Sequence, residues 1–143
     1  LRKAVPGIAI RTTFIAGFPG ETEDDQQELM EFIEEFRFER AGIFTFSREE
    51  GTKAYKMPNQ VHHRTKARRY NEATLLLARL ASETGQEQIG RQIRVLVDAP
   101  GVARTEWDAP DIDGTVSVPL TLPVGQFATV TVTDAVAYEL TAE

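Results

Sequence analysis

The sequence predicts an α/β segment followed by a small all-β barrel, and three observations support this. Residues 8–16 form an apolar stretch that runs into the turn Gly17-Phe-Pro-Gly20. A helical pattern and a second apolar stretch, residues 42–47, come next. After Gly90 lysine is absent, and valine, threonine and turn residues prevail. We therefore expect two domains, residues 1–90 and residues 91–143.

The first apolar stretch, which follows the break Pro6-Gly7, reads as a strand that is buried on both sides. Such strands are typical of the interior of a parallel sheet or barrel. Its alternation places Arg11, Thr13 and Ile15 on one face, and Thr12, Phe14 and Ala16 on the other. In a barrel, the face with Arg11 would line the interior, and the other face would pack against helices.

A helix is predicted over residues 23–38, because an apolar stripe recurs at helical spacing. Its members are Leu29, Phe32, Ile33 and Phe36. Thr22 and Asp25 have the spacing of a capping box at the start of this helix. A strand, a helix and another strand form a βαβ unit, so the two strands are expected to be parallel.

A second, longer helix is predicted from Arg64 towards Gly90, with Gly85 or Gly90 as its terminator. Its apolar stripe consists of Ala67, Tyr70, Ala73, Leu77 and Leu80. The basic residues of its first turns are expected to be exposed; they are Arg64, Lys66, Arg68 and Arg69.

The remaining residues predict five short strands separated by turn residues rich in Asp, Pro and Gly. They cover residues 91–97, 101–107, 114–118, 128–133 and 137–141. Five short strands in so few residues favour a small antiparallel barrel.

Charge and composition exclude several classes of function. Residues 91–143 hold three arginines and no lysine against eight acidic residues, which disfavours nucleic-acid binding and favours a basic protein partner. The absence of cysteine excludes disulfides and thiolate metal sites within these residues. His62 and His63 are adjacent and lack metal-ligand spacing, so we expect no metal site. No apolar run is long enough to cross a bilayer, so we expect a cytoplasmic protein.

Three blocks of sequence carry a resemblance to a known family. They are Thr13-Phe-Ile-Ala-Gly-Phe-Pro-Gly-Glu-Thr22, Phe46-Ser-Arg-Glu-Glu-Gly-Thr-Lys-Ala-Tyr55, and the acidic segment from Val97 to Gly114. Together they resemble the radical-SAM methylthiotransferases, and the β module resembles the TRAM domain that closes these enzymes. The text Arg11-Thr-Thr-Phe14 and the acidic segment are similar to the branch that methylthiolates an aspartate of a small-subunit ribosomal protein.

The resemblance implies a specific fold and cofactor set. The chain would hold the C-terminal βα units of a radical-SAM partial TIM-type barrel, followed by an OB-like TRAM barrel. The intact parent would use S-adenosylmethionine and two 4Fe-4S clusters. The cluster motif Cys-x-x-x-Cys-x-x-Cys is absent here, and the chain begins with Leu1 rather than Met, so we expect a fragment of a longer protein that is inactive alone, with no catalytic residue of its own. The alternatives are a tRNA adenosine methylthiotransferase of the MiaB-like branch and a non-catalytic interaction module.

The resemblance also places candidate cofactor contacts on the first strand. Thr13, Ile15 and Gly17 fall where such barrels show a Gly-x-Ile-x-Gly-x-x-Glu-like strand against the adenine. Thr13 replaces the first glycine, and Glu21 lies one residue too far along, so simple barrel packing is the alternative. Arg11 either binds the methionine carboxylate, which suits a guanidinium, or neutralises an acid of the missing strands.

Candidate substrate contacts lie in two loops. Four of them follow the second strand at its carboxyl end, where such barrels carry function: Ser47, Arg48, Gly51 and Thr52. A solvated loop is the alternative. The acidic residues Asp108, Asp111 and Asp113 suit a docking face for a basic ribosomal protein, and ordinary turn chemistry is the alternative. Trp107 is either an anchor at this face or a core residue of the barrel.

Overall fold

A computed structural model describes all 143 residues of the chain. They form two compact units, Leu1–Leu77 and Ala78–Glu143. This division falls inside a helix that spans His63–Gln86. The boundary near Gly90, which composition suggests, stays a prediction.

The first unit contains a parallel βαβ unit, as predicted. Strand β1 (Arg11–Ala16) is followed by helix α1 (Glu23–Phe36) and strand β2 (Arg40–Thr45). The two strands pair in parallel over their whole length, from Arg11 opposite Arg40 to Ala16 opposite Thr45. A short 3₁₀ turn at Ala54–Lys56 precedes helix α2 (His63–Gln86), which begins in this unit.

The start of α1 confirms the predicted capping box. The Thr22 hydroxyl accepts a hydrogen bond from the Asp25 amide at 3.1 Å, and the Asp25 carboxylate accepts one from the Thr22 amide at 2.8 Å. These bonds satisfy two polar groups that the first helical turn leaves without partners. The helix ends two residues earlier than predicted because Arg37 adopts a left-handed conformation, with φ of 46°.

The apolar stripe of α1 is less buried than its spacing predicts. Ile33 is fully buried, whereas Phe32 and Phe36 are 43% and 39% exposed. The two phenylalanines instead join a cluster of aromatic rings with Phe14 and Phe38, whose centroids lie 5.0–6.4 Å apart. These partly exposed rings therefore pack against one another near the C-terminal end of α1.

The second unit contains the predicted five-stranded barrel, closed in the order β3-β4-β5-β7-β6. Its strands are β3 (Gln92–Ala99), β4 (Val102–Thr105), β5 (Val116–Ser117), β6 (Phe127–Val136) and β7 (Glu139–Ala142). Four of the five pairings are antiparallel, but β5 pairs with β7 in parallel. The prediction of an antiparallel barrel is therefore wrong for this one pairing. The chain reverses direction at β6 and again at β7, so β7 runs in the same direction as β5.

The barrel core is built from small β-branched and aliphatic side chains. Val95, Val97, Val116 and Val132 are at most 1% exposed. Valine is stiff and fits a pleated surface, so these residues fill a narrow interior without loss of much rotamer freedom.

The two glycines proposed as helix terminators have different roles. Helix α2 ends at Gln86, one residue after Gly85. A Cβ atom on Gly85 would lie 2.6 Å from the carbonyl oxygen of Ala137, so the lack of a side chain lets the end of the helix approach the chain between β6 and β7. Gly90 adopts a φ of +83° and donates its amide to Val132 at 2.8 Å.

No helix in the chain combines the length and the apolar character that a membrane span requires.

We expect Thr22→Ala to lower the free energy of unfolding by about 1 kcal/mol, because it removes the capping hydroxyl. Thr22→Ser is the matched control, since serine keeps the same oxygen and should change stability little. Urea unfolding of the chain, followed by circular dichroism, measures both. Equal stability of Thr22→Ala and Thr22→Ser would show that the capping box contributes nothing.

Candidate functional site

The turn that follows β1 is held by a single carboxylate. Both oxygens of Glu21 accept hydrogen bonds from the Gly17 amide, at 3.0 and 2.9 Å, and one also accepts from the Phe18 amide at 3.4 Å. Gly17 has a φ of +79° and is buried, so its amide has lost access to water. The carboxylate replaces that water, which fixes the backbone at the carboxyl end of the strand.

Arg69 of helix α2 holds this carboxylate in place. Its guanidinium donates to a Glu21 carboxylate oxygen at 2.6 Å, to the Glu21 carbonyl at 3.1 Å and to the Glu23 carboxylate at 2.8 Å. The Arg69 side chain is only 3% exposed and that of Glu21 is 13% exposed. The prediction that Arg69 is exposed is therefore wrong. The position of Arg69 on its helix does not predict that two carboxylates, from residues far away in the sequence, bind its guanidinium.

Arg68 is the neighbour of Arg69 and differs from it in one respect. It binds both oxygens of Glu23, at 2.6 and 2.7 Å, and pairs with Glu72 one helical turn away at 2.9 Å. Its side chain is 47% exposed, as predicted, and its hydrogen bonds do not reach Glu21. Glu23 thus bridges two arginines, only one of which touches the turn.

The charges of this network change the protonation equilibria. Hydrogen bonds from Arg69 and then Arg68 hold the pKa of Glu23 below its ordinary value of 4.5. Burial acts to lower the pKa of Arg69, but the hydrogen bonds to Glu23 and Glu21 outweigh it and raise the pKa. Glu23, Arg68 and Arg69 therefore stay ionised at neutral pH.

Lys66 covers the other side of the turn. Its ammonium donates to the carbonyl of Phe46 at 3.0 Å and lies 4.8 Å from the centre of the Phe46 ring. Its aliphatic stem packs against Gly17, and a Cβ atom at that position would overlap the Lys66 Cγ atom. Glycine is thus required at position 17 both for its φ and for this close approach.

The predicted cofactor residues lie together on one open face of the β1–β2 sheet. Arg11, Thr13 and Ile15 are exposed, Ile15 by 53%, whereas Thr12, Phe14 and Ala16 on the opposite face are half-buried or buried. Ile15 is opposite Phe44, which is 64% exposed. The face therefore carries the apolar side chains of Ile15 and Phe44 near the carboxyl ends of the strands and Arg11 near their amino ends, and the buried Gly17 follows β1. The assignment of Arg11, Thr13, Ile15 and Gly17 as cofactor contacts stays a prediction.

The predicted substrate loop folds mainly on itself. The Arg48 guanidinium donates to the Tyr55 carbonyl at 2.8 Å and lies 4.5 Å from the centre of its ring. The Thr52 hydroxyl donates to the Glu49 carbonyl at 2.7 Å. Ser47 donates to Glu49 as well, and Gly51 has a φ of +82°. All four predicted residues are exposed, so their assignment as substrate contacts stays a prediction.

The three acidic residues predicted to form a docking face differ in their surroundings. Asp108 is 7% exposed, and its carboxylate accepts from the amide and the hydroxyl of Thr105, at 3.1 and 2.5 Å. Asp113 accepts from the Ala109 amide at 2.8 Å. Asp111 is exposed and has a φ of 60°. Asp108 and Asp113 thus hold their own loop, as the turn-chemistry alternative has it, and a docking face there would depend on Asp111.

The structure adds a groove that the sequence does not predict. It encloses about 390 Å³ and lies on the outside of the barrel. The Arg94 guanidinium lies 4.1 Å from the centre of the Phe127 ring, which is 62% exposed. Arg104 also lines it and pairs with Asp98 at 2.9 Å. The sequence shows Arg94 and Phe127 on two predicted strands, but it does not show that these strands pair and bring the two side chains together.

No group of three or more His, Asp or Glu side chains in the structure is arranged to hold a metal ion. The chain has no cysteine either.

Residues 89–143 match the family model of the TRAM domain. The matched residues include all five strands of the closed barrel.

The chain is also similar to curated proteins that share one name. Over 143 residues the chain is 98% identical to "Ribosomal protein uS12 methylthiotransferase RimO" of Akkermansia muciniphila, with 100% of the chain and 32% of that protein covered. Relatives of the same name in Opitutus terrae and Desulforamulus reducens are 54% and 46% identical, over 99% and 100% of the chain and 30% and 34% of their own lengths. The chain is thus similar to these proteins over nearly all of its own residues, and it spans about a third of the length of the curated relatives it matches.

We expect Gly17→Ala to destabilise the chain more than Gly20→Ala. Both glycines have positive φ, so alanine at either position costs about 1 kcal/mol in backbone strain. Only Gly17 faces a close neighbour, Lys66, which adds roughly 1–3 kcal/mol of overpacking.

Thermal and urea unfolding of the two glycine variants measure the difference. The double variant Gly17→Ala with Lys66→Ala should recover part of the loss. Equal losses at the two positions would contradict the packing argument.

We also expect Glu23 to stabilise the chain only above acidic pH. The pKa of Glu23 is lower in the folded chain than its ordinary value of 4.5, so its contribution is complete above that value and disappears as pH falls through the lower, folded pKa. The stability difference between the unmodified chain and Glu23→Gln should therefore shrink between pH 6 and pH 2. A pH-independent difference for Glu23→Gln would contradict the assignment.

Proposed function

We propose that the chain is the C-terminal part of a ribosomal protein uS12 methylthiotransferase. The intact enzyme would add a methylthio group to an aspartate side chain in the cytoplasm, with S-adenosylmethionine and two 4Fe-4S clusters. The observation that carries the proposal is the 98% identity to the A. muciniphila relative over the whole chain. Because the chain contains no cysteine, the cluster ligands would come from other parts of that enzyme.

The open face of the first unit supports a place in a larger barrel. An isolated pair of parallel strands is a poor independent sheet, and this pair exposes Ile15 and Phe44. Further strands of the enzyme would extend the sheet at its edges. The open face would then line the interior of a partial TIM-type barrel, whose carboxyl end carries function.

The residues of this chain would bind and orient S-adenosylmethionine. When bound at a cluster, this cofactor supplies a 5′-deoxyadenosyl radical. Ile15 and Thr13 would contact the adenine, and the backbone at Gly17 would lie against it at the end of the strand. Arg11 would bind the methionine carboxylate with its guanidinium.

The acidic barrel would meet the ribosomal protein. Its excess of acidic residues complements a basic partner and repels RNA phosphates. Asp111 is exposed and is our principal candidate for this contact. Ser47, Arg48, Gly51 and Thr52 would face the substrate at the carboxyl end of β2.

The test uses the full-length A. muciniphila relative with this sequence in place of its own corresponding residues. After anaerobic cluster reconstitution, we expect it to bind S-adenosylmethionine and to add a methylthio group to purified uS12, detected by mass spectrometry. Ile15→Asp should weaken cofactor binding by roughly tenfold to a hundredfold, because it places a charge against the adenine. Leu75→Asp is the matched control: Leu75 is 72% exposed on α2, outside the open face. Equal effects of the two variants would remove Ile15 from the site.

A tRNA-modifying enzyme is the second candidate, and the groove of Arg94, Arg104 and Phe127 favours it, because an exposed ring beside arginines suits a stacked base. Titration of the 143-residue chain with uS12 and with bulk tRNA, each at two salt concentrations, separates the candidates. We expect binding of uS12 that weakens in Asp111→Lys but not in Asp24→Lys. Tight, salt-dependent tRNA binding that Phe127→Ala abolishes would favour the second candidate instead.

A further inference from the structure

The backbone at the end of β1 depends on a residue far away in the sequence. The Gly17 and Phe18 amides both donate to the Glu21 carboxylate, which is mostly buried. A buried carboxylate needs a cation nearby to stay in such a position. Arg69, 48 residues further along the chain, is that cation. Its fork-shaped guanidinium binds Glu21 and Glu23 at the same time, which a lysine ammonium on a flexible stem does less well.

Arg69 supports the turn indirectly, because it binds the Glu21 carboxylate, which binds the amides of Gly17 and Phe18. Without it, the Glu21 carboxylate would be left almost dehydrated and unpaired, which is unfavourable. The carboxylate would turn towards water and release the Gly17 amide. The backbone at Gly17 would then be free to shift, at the end of the face where S-adenosylmethionine is proposed to bind.

We propose that Arg69 is a positioning residue for S-adenosylmethionine, which acts through Glu21 on the backbone of Gly17 and Phe18. The inference rests on the proposed function, since the cofactor is that of the proposed enzyme. Arg69 itself would not touch the cofactor, because its side chain is only 3% exposed and its two terminal nitrogens are bound to Glu21 and Glu23.

Arg68 provides a matched control. It lies next to Arg69 on the same helix, carries the same charge and shares Glu23, but its hydrogen bonds go to Glu23 and Glu72 and not to the turn. A loss of charge or of one helix–helix ion pair is therefore common to variants at both positions. Loss of the hydrogen bonds to Glu21 is specific to Arg69, as is the loss of a buried guanidinium, so the Gly17 and Phe18 amides are the readout that separates the two.

The first measurement is amide hydrogen exchange by NMR on the 143-residue chain, with no cofactor present. Arg69→Met should speed exchange at Gly17 and Phe18 by about tenfold or more, because their acceptor becomes mobile. Arg69→Lys should give an intermediate rate, and Arg68→Met should leave both amides unchanged. The Ile33 amide in the middle of α1 reports whether each variant is folded. If Arg69→Met is unfolded, Arg69→Lys and Glu21→Gln provide the same comparison.

The second measurement is equilibrium binding of S-adenosylmethionine to the full-length relative that carries this sequence, with clusters reconstituted. The Kd should rise by roughly tenfold to a hundredfold in Arg69→Met, less in Arg69→Lys, and little in Arg68→Met. The turnover rate at saturating cofactor should fall much less than the affinity, since Arg69 holds the binding surface and not the reacting atoms.

The outcomes separate this inference from the proposed function. Faster exchange together with weaker binding, specific to Arg69, supports it. Unchanged exchange, or faster exchange with unchanged cofactor affinity, overturns it while the proposed function stands. If the unmodified full-length protein does not bind S-adenosylmethionine at all, the proposed function itself fails, and the inference fails with it.

Discussion

The ion pair between Glu21 and Arg69 is the interaction on which the first unit depends. A guanidinium that is 3% exposed has lost most of its hydration, which costs several kcal/mol unless carboxylates replace the water. Glu21 and Glu23 do so from the turn and the first residue of α1. The pair therefore joins the end of β1, the start of α1 and the first part of α2, and the turn has its observed shape only when all three are assembled.

Glu21 connects this ion pair to the backbone. Its carboxylate accepts hydrogen bonds from the Gly17 and Phe18 amides and from the Arg69 guanidinium. The position of α2 therefore constrains the backbone at the end of β1. Lys66 adds a second constraint from the same helix, because its stem leaves no room for a side chain on Gly17. Two residues of α2, three positions apart, thus hold the turn from two sides.

The second unit is stabilised in a different way. Its barrel closes on itself, so it has no unpaired sheet edge, and its core needs only small apolar side chains. Among its polar contacts, those of Asp108 and Asp113 hold the segment between β4 and β5. The exposed surface of this unit carries two features of different chemistry: the acidic Asp111, and the groove in which the Phe127 ring lies beside arginines.

The sequence by itself determined the elements and the resemblance to a family, because periodicity, capping and turn residues are local properties. The βαβ unit, the capping box of Thr22 and Asp25, and the five strands of the barrel all follow from residues close together in the chain. The tertiary structure decided which polar side chains are buried and what they bind. Arg69 looks like any basic residue at the start of a helix, and its burial follows only from a turn 48 residues away. The parallel pairing of β5 and β7 and the meeting of Arg94 with Phe127 were likewise decided by strand register, since contacts between distant segments have no local signal.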